Sequence, residues 1–169
     1  KTIPTYMFDE CSALKNVSIP SGVTIIEEHA FHGCDVLETI ILPNNLTTIG
    51  NLAFSDCLAL KEITIPSKVT KIGSEAFKGC TLLNSITVLP KTQPSIYSTT
   101  FQNVATGGTL YCMVGTNYYK WMGIDEHYLG YYGWNVQYVR EDGTFAEIGT
   151  LTCTYDHVGS TKLCDDALL

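Results

Sequence analysis

Four phenylalanines recur at a constant interval: Phe8, Phe31, Phe54 and Phe77 step by 23 residues, and Cys11, Cys34, Cys57 and Cys80 keep the same step. A period of this length marks a stacked repeat, in which no single unit buries its own apolar face and the core forms only between neighbours. Three full units align on the Phe: LKNVSIPSGVTIIEEHAFHGCDV at 14–36, LETIILPNNLTTIGNLAFSDCLA at 37–59 and LKEITIPSKVTKIGSEAFKGCTL at 60–82. A fourth, at 83–106, keeps the rhythm with one extra residue near Leu89, so Phe101 falls 24 residues after Phe77.

Inside a rung, Leu60, Ile63 and Ile65 alternate as a short strand with one buried face does. Pro66 ends that strand because it has no N–H for a ladder. Val69 and Ile72 form a second apolar pair, Gly73 is a turn, and Ala76, Phe77 and Cys80 share one face of a short helical turn. The expected Phe column is a spine, and Phe54→Ala should cost more than any surface change. Lys15, Glu38, Lys61 and Asn84 stack with alternating sign, as ladder spacing requires, and Thr24, Thr47 and Thr70 form another column.

The cysteine period argues for packing. Equivalent residues of stacked rungs lie about 4.7–4.9 Å apart, whereas a disulfide wants Cβ atoms roughly 3.8 Å apart. Cys11, Cys34, Cys57 and Cys80 therefore read as small buried fillers, and Val104 takes the next place in that column. Cys153 and Cys164 are the candidates for a disulfide in an oxidising compartment.

The recurring L-x-x-I-x-I-P-x-x-V-T-x-I-G-x-x-A-F-x-x-C resembles the BspA-like, or Treponema-type, leucine-rich repeat. That resemblance implies a leucine-rich-repeat solenoid, α/β by class and β-rich, with short helical or 3-10 turns, four to five rungs and a non-repeat C-terminal cap. Glu27 departs from it where Gly50 and Gly73 hold the turn. The expected organisation is a repeat array at 1–108, an aromatic-rich cap at 109–139 and an acidic extension at 140–169, strand-forming or the start of another module. Ile3 aligns with Ile26, so the chain starts in mid-rung and is expected to be a piece of a longer array. The cap holds seven of the ten tyrosines and both tryptophans. By resemblance, Leu110–Val114 is the last strand, Asn117–Met122 a helix and Gly133-Trp134 the closing turn, with Tyr111, Trp134 and Tyr138 roofing the last rung.

Chemistry-bearing motifs are scarce. No G-x-S-x-G, G-x-x-x-x-G-K-[ST] or H-E-x-x-H is present, and no enzymatic activity, metal or cofactor is expected. His29 and His32 flank the core Phe31, while Cys153, Asp156, His157 and Cys164 form no workable zinc set. A net charge of −7 with a single Arg, Arg140, speaks against nucleic acid, and no apolar run is long enough for membrane insertion. The function expected is a non-enzymatic binding or adhesion module for a protein or glycan on a host or neighbouring cell. By resemblance it is extracellular or on the cell surface; the alternative is a structural spacer presenting another domain. Candidate ligand-binding residues are the strand positions Asn16, Ser18, Thr39, Ile41, Glu62, Thr64, Ser85 and Thr87, and the cap pairs Tyr118, Tyr119 and Tyr131, Tyr132.

Overall fold

A computed structural model describes residues 1–118, 120–123, 125 and 127–146. Its strands are β1 (Thr2–Ile3), β2 (Ile25–Ile26), β3 (Thr48–Ile49), β4 (Glu62–Ile65), β5 (Lys71–Ile72), β6 (Ser85–Val88), β7 (Thr109–Met113) and β8 (Asn135–Val139). They form two parallel sheets, β1-β2-β3-β5 along the earlier coils and β4-β6-β7-β8 along the later ones, and the coil of residues 60–82 carries a strand of each. The first pairs Ile26 with Ile49 and Ile49 with Ile72; the second pairs Ile63 with Ile86 and Ile86 with Leu110. Val88 still pairs with Ile65 at the common interval, while Ser95 bridges Lys71, which places the extra residue of the fourth rung between Val88 and Ser95.

A third line of inter-rung bonds runs through the Ala-Phe turns. Phe31 N donates to Ala53 O at 2.9 Å, and Phe54 N to Ala76 O at 2.8 Å. Each turn lies between two left-handed residues, such as His29 (φ 55°) and Gly33 (φ 65°), or Leu52 (φ 50°) and Asp56 (φ 58°). Right-handed helix cannot propagate through such residues. The expected short helical or 3-10 turns are therefore single hydrogen-bonded turns, and no helix occurs among the described residues.

The Phe rings stack at centroid distances of 5.0, 5.3, 5.5 and 5.7 Å from Phe8 to Phe101. The cysteines do more than fill space. The Cys34, Cys57 and Cys80 thiols donate to the carbonyls of Phe8, Phe31 and Phe54, each one rung back, at 3.2, 3.2 and 3.1 Å. Threonine repeats this device on the opposite side: Thr47 Oγ1 donates to Thr24 O at 2.9 Å. Gly50 is needed for close approach, since a Cβ there would lie 2.6 Å from the Glu27 carbonyl carbon.

The coil continues past the strict repeat, and the expected four to five rungs become six. Trp121 succeeds Phe101 in the ring column at 5.2 Å, tilted 52°. Its rung is pinned to the fourth by Tyr118 Oη donating to Pro90 O at 2.9 Å and Trp121 Nε1 to Pro94 O at 3.4 Å. Between these anchors Trp121 N closes a single turn on Tyr118 O, where a helix at Asn117–Met122 was expected. The last repeat strand starts at Thr109, one residue before the expected Leu110, and β8 adds one more strand to the sheet after it. Trp134 does roof its rung: it is buried, lies over Gly108 and donates Nε1–H to Ala105 O.

Candidate binding face

Alternation decides what the second sheet presents. In β7, Leu110 and Cys112 point inward, so Thr109, Tyr111 and Met113 point outward. Register then lines up Glu62, Ser85, Thr109 and Asn135 in one row and Thr64, Thr87, Tyr111 and Gln137 in the next. Met113 pairs with Val139, which bridges Phe145 in an antiparallel turn-back. Tyr111 and Phe145 approach to 6.1 Å, and Phe145 is 54% exposed.

The strand candidates gather on this face as the repeat implies. Asn16, Ser18, Thr39, Ile41, Glu62 and Thr64 are exposed, and Ser85 and Thr87 half-buried. Ser18 bridges Ile41, which is 84% exposed. Tyr111, expected in the roof, lies on the face instead; Met113 and Phe145 were not singled out. The alternation of Thr109-Leu110-Tyr111-Cys112-Met113 was the signal available for the first two.

The face is not an unbroken sheet. No bridge joins Ile41 to Thr64, so the ladder splits between the second and third rungs. Core residues at the split are slightly open, with Ile40, Leu42 and Ile63 at 7, 6 and 3% exposure against 0% for Ile86 and Leu110. A cleft of about 290 Å³ sits there, lined by Thr39, Ile41, Asn44, Glu62, Thr64 and Leu89 among others. A second, of about 380 Å³, is lined by Leu89, Lys91, Met113, Val114 and Glu141 among others.

The cap tyrosines separate. Tyr118 is buried, and burial pushes its hydroxyl pKa up. Tyr119 lies outside the described residues, as do Cys153 and Cys164. Tyr131 is exposed and packs edge-on against Tyr132 at 5.1 Å. Tyr132 is tied down: its hydroxyl accepts from Asn103 N at 2.8 Å and lies 3.2 Å from His127 Nδ1.

Other reactive groups are committed to the stack. His32 Nδ1 lies 2.8 Å from Asp9 and Nε2 3.7 Å from Asp56, spanning three rungs. Burial pushes the Cys34 thiol up to about 11 and those of Cys80 and Cys112 to about 12, and raises Cys57 too. At neutral pH these are protonated, poor nucleophiles. Among the described residues no three His, Cys, Asp or Glu side chains are placed to hold a metal, and no helix is long and apolar enough to cross a membrane.

Six copies of the BspA type leucine rich repeat region match residues 1–111. The chain belongs to that family. Among solved structures, it is similar to a leucine-rich repeat protein of T. pallidum at 34% identity and a TM-score of 0.59, over 65% of this chain and 51% of that one. It also resembles a leucine-rich repeat protein of Bacteroides ovatus at 33% identity and a TM-score of 0.54, over 66% of this chain and 30% of that one. A third similar structure is the pneumococcal vaccine antigen PcpA, at 29% identity and a TM-score of 0.58, over 70% of this chain and 29% of that one. The chain thus spans about half or less of each of these proteins. Among curated proteins no significant match is found.

Proposed function

We propose that this chain is a binding module, displayed on or outside a cell, that engages a protein through the outer face of the β4-β6-β7-β8 sheet. The supporting observation is the surface that interrupts the threonine rows: Tyr111, Met113 and Phe145 at one end and the exposed Ile41 at the other. Aromatic anchors dominate interface energies, and rows of Thr and Ser by themselves supply little. The similarity to a structure described as a vaccine antigen fits exposure to the outside of a cell.

The test is a screen of the purified protein against extracellular-matrix proteins and a glycan array, beside Tyr111→Ala/Phe145→Ala and Tyr131→Ala. Loss of protein binding in the first variant, with unchanged melting, supports the sheet face. Glycan binding lost only in Tyr131→Ala moves the site to the cap. No binding to anything rejects the proposal and leaves the spacer reading.

A further inference from the structure

We propose that the two clefts form one groove, centred on Leu89, that seats an extended polypeptide segment of the partner protein, with a cationic side chain at its Glu62 end and a carboxylate at its Lys91 end. This rests on the reading of the sheet face as a protein-binding surface.

The groove comes from the extra residue of the fourth rung. In earlier rungs the strand is closed by Pro20, Pro43 or Pro66. In the fourth, Leu89 takes that place, Pro90 is displaced by one, and Leu89 N donates to Ile65 O at 3.0 Å. The half-buried Leu89 side chain is common to the linings of both clefts and is the point at which the proposed groove passes from one to the other. The path crosses the rungs from Ile41 in the second to Met113 in the fifth, three spacings, or about 14–15 Å. An extended chain covers that distance in roughly 4–5 residues at about 3.3 Å each.

Along this path the apolar contacts come in sequence: Ile41, Leu89, then Met113 with Val114. They are aliphatic or thioether, without the flat ring on which a sugar stacks. Charge gives the segment a direction. Lys61 is paired with Glu38 and Lys78 with Glu75, whereas exposed Glu62 and Lys91 have no ion-pair partner among the described residues. Glu141 also lines the second cleft, and its carboxylate reduces the positive potential that Lys91 presents there.

Random dodecapeptides displayed on phage are panned on the protein. Synthetic copies of the enriched peptides are then titrated by fluorescence anisotropy against wild type, Leu89→Asp, Leu89→Ser, Glu62→Lys and Lys91→Glu, each checked for unchanged melting. The enriched peptides should carry Lys or Arg and Asp or Glu on opposite sides of the apolar residue that meets Leu89. Both Leu89 variants should weaken binding by about tenfold or more, as loss of a central anchor does. Each charge reversal should weaken it by roughly 2- to 5-fold, the size of an exposed ion pair, and panning on Lys91→Glu should select a basic residue where wild type selects an acidic one. Enrichment without charge order, equal binding by the Leu89 variants, or no enrichment overturns the groove. If a matrix protein still binds both Leu89 variants but not Tyr111→Ala/Phe145→Ala, the groove fails and the face stands; if neither protein nor peptide binds, both fail.

Discussion

The phenylalanine column makes a quantitative claim about position within the coil. Phe54 is fully buried and stacks on Phe31 at 5.3 Å and on Phe77 at 5.5 Å. Truncating such a side chain costs about 3–5 kcal/mol through lost transfer energy and the cavity left behind. Phe8 is half-buried and has one ring neighbour, Phe31, at 5.0 Å. With about half the burial and one stack in place of two, Phe8→Ala should cost roughly 1.5–2.5 kcal/mol. Phe54→Leu keeps most of the volume and loses only the stacking, so it should cost below about 1.5 kcal/mol. Urea denaturation followed by circular dichroism ranks the three. Phe54→Ala should also lower Tm by roughly 6–20 °C, from about 2–4 °C per kcal/mol at this chain length. A Phe54→Ala cost no larger than that of Phe8→Ala would refute the reasoning, because central and terminal rungs would then not differ in what they bury.

Three further perturbations probe the devices between rungs. The buried thiols of Cys34, Cys80 and Cys112 are raised from 9.0 to about 11, 12 and 12, so the fold holds the neutral form. Their contribution is fully present below pH 9 and is lost as pH rises toward 11–12, at up to about 1.4 kcal/mol per thiol per pH unit. The urea midpoint should be flat from about pH 7 to 8.5 and fall above 9, less steeply in Cys80→Val. Gly50→Ala places a Cβ against the Glu27 backbone and should cost about 1–3 kcal/mol by thermal unfolding, whereas Glu27→Gly should cost little. Tyr132→Phe removes the acceptor for Asn103 N and should cost about 0.5–1.5 kcal/mol, with faster amide exchange at Asn103.

The interior was legible because it is periodic. The Phe and Cys steps located the ring column, and the strand motif located β4 and β6. Trp121 escaped that logic because it follows Phe101 by 20 residues, so no alignment at the repeat interval brings it into the column it ends. The left-handed turn residues were visible only at Gly33 and Gly79; His29, Leu52 and Asp56 adopt the same conformation, held by backbone bonds from the next rung such as Asp56 N to Lys78 O at 2.7 Å. The split between Ile41 and Thr64 has no signature, since the two rungs share length and motif.

Where the repeat is strict, one rung constrains the next, and the outer rows are short polar side chains that any number of rungs would reproduce. Selectivity needs positions that differ from their ladder neighbours, and in this coil they arise where the period is broken or its pattern substituted. Ile41 stands in the row of Ser18 and Thr64, Leu89 in the place of a strand-ending proline, and Tyr111 opposite Thr87 and Gln137. Phe145 joins them by the turn-back that covers the last strand's edge. A rung's departure from the consensus costs the stack little when it occurs on the outer face, because the inward Leu, Ile and Phe positions from Leu37 to Ile86 stay at 0–7% exposure. The same separation predicts that Ile41→Thr, which restores the regular row, leaves stability within about 0.5 kcal/mol and reduces ligand binding, whereas Ile40→Thr, one residue away and facing inward, destabilises the coil.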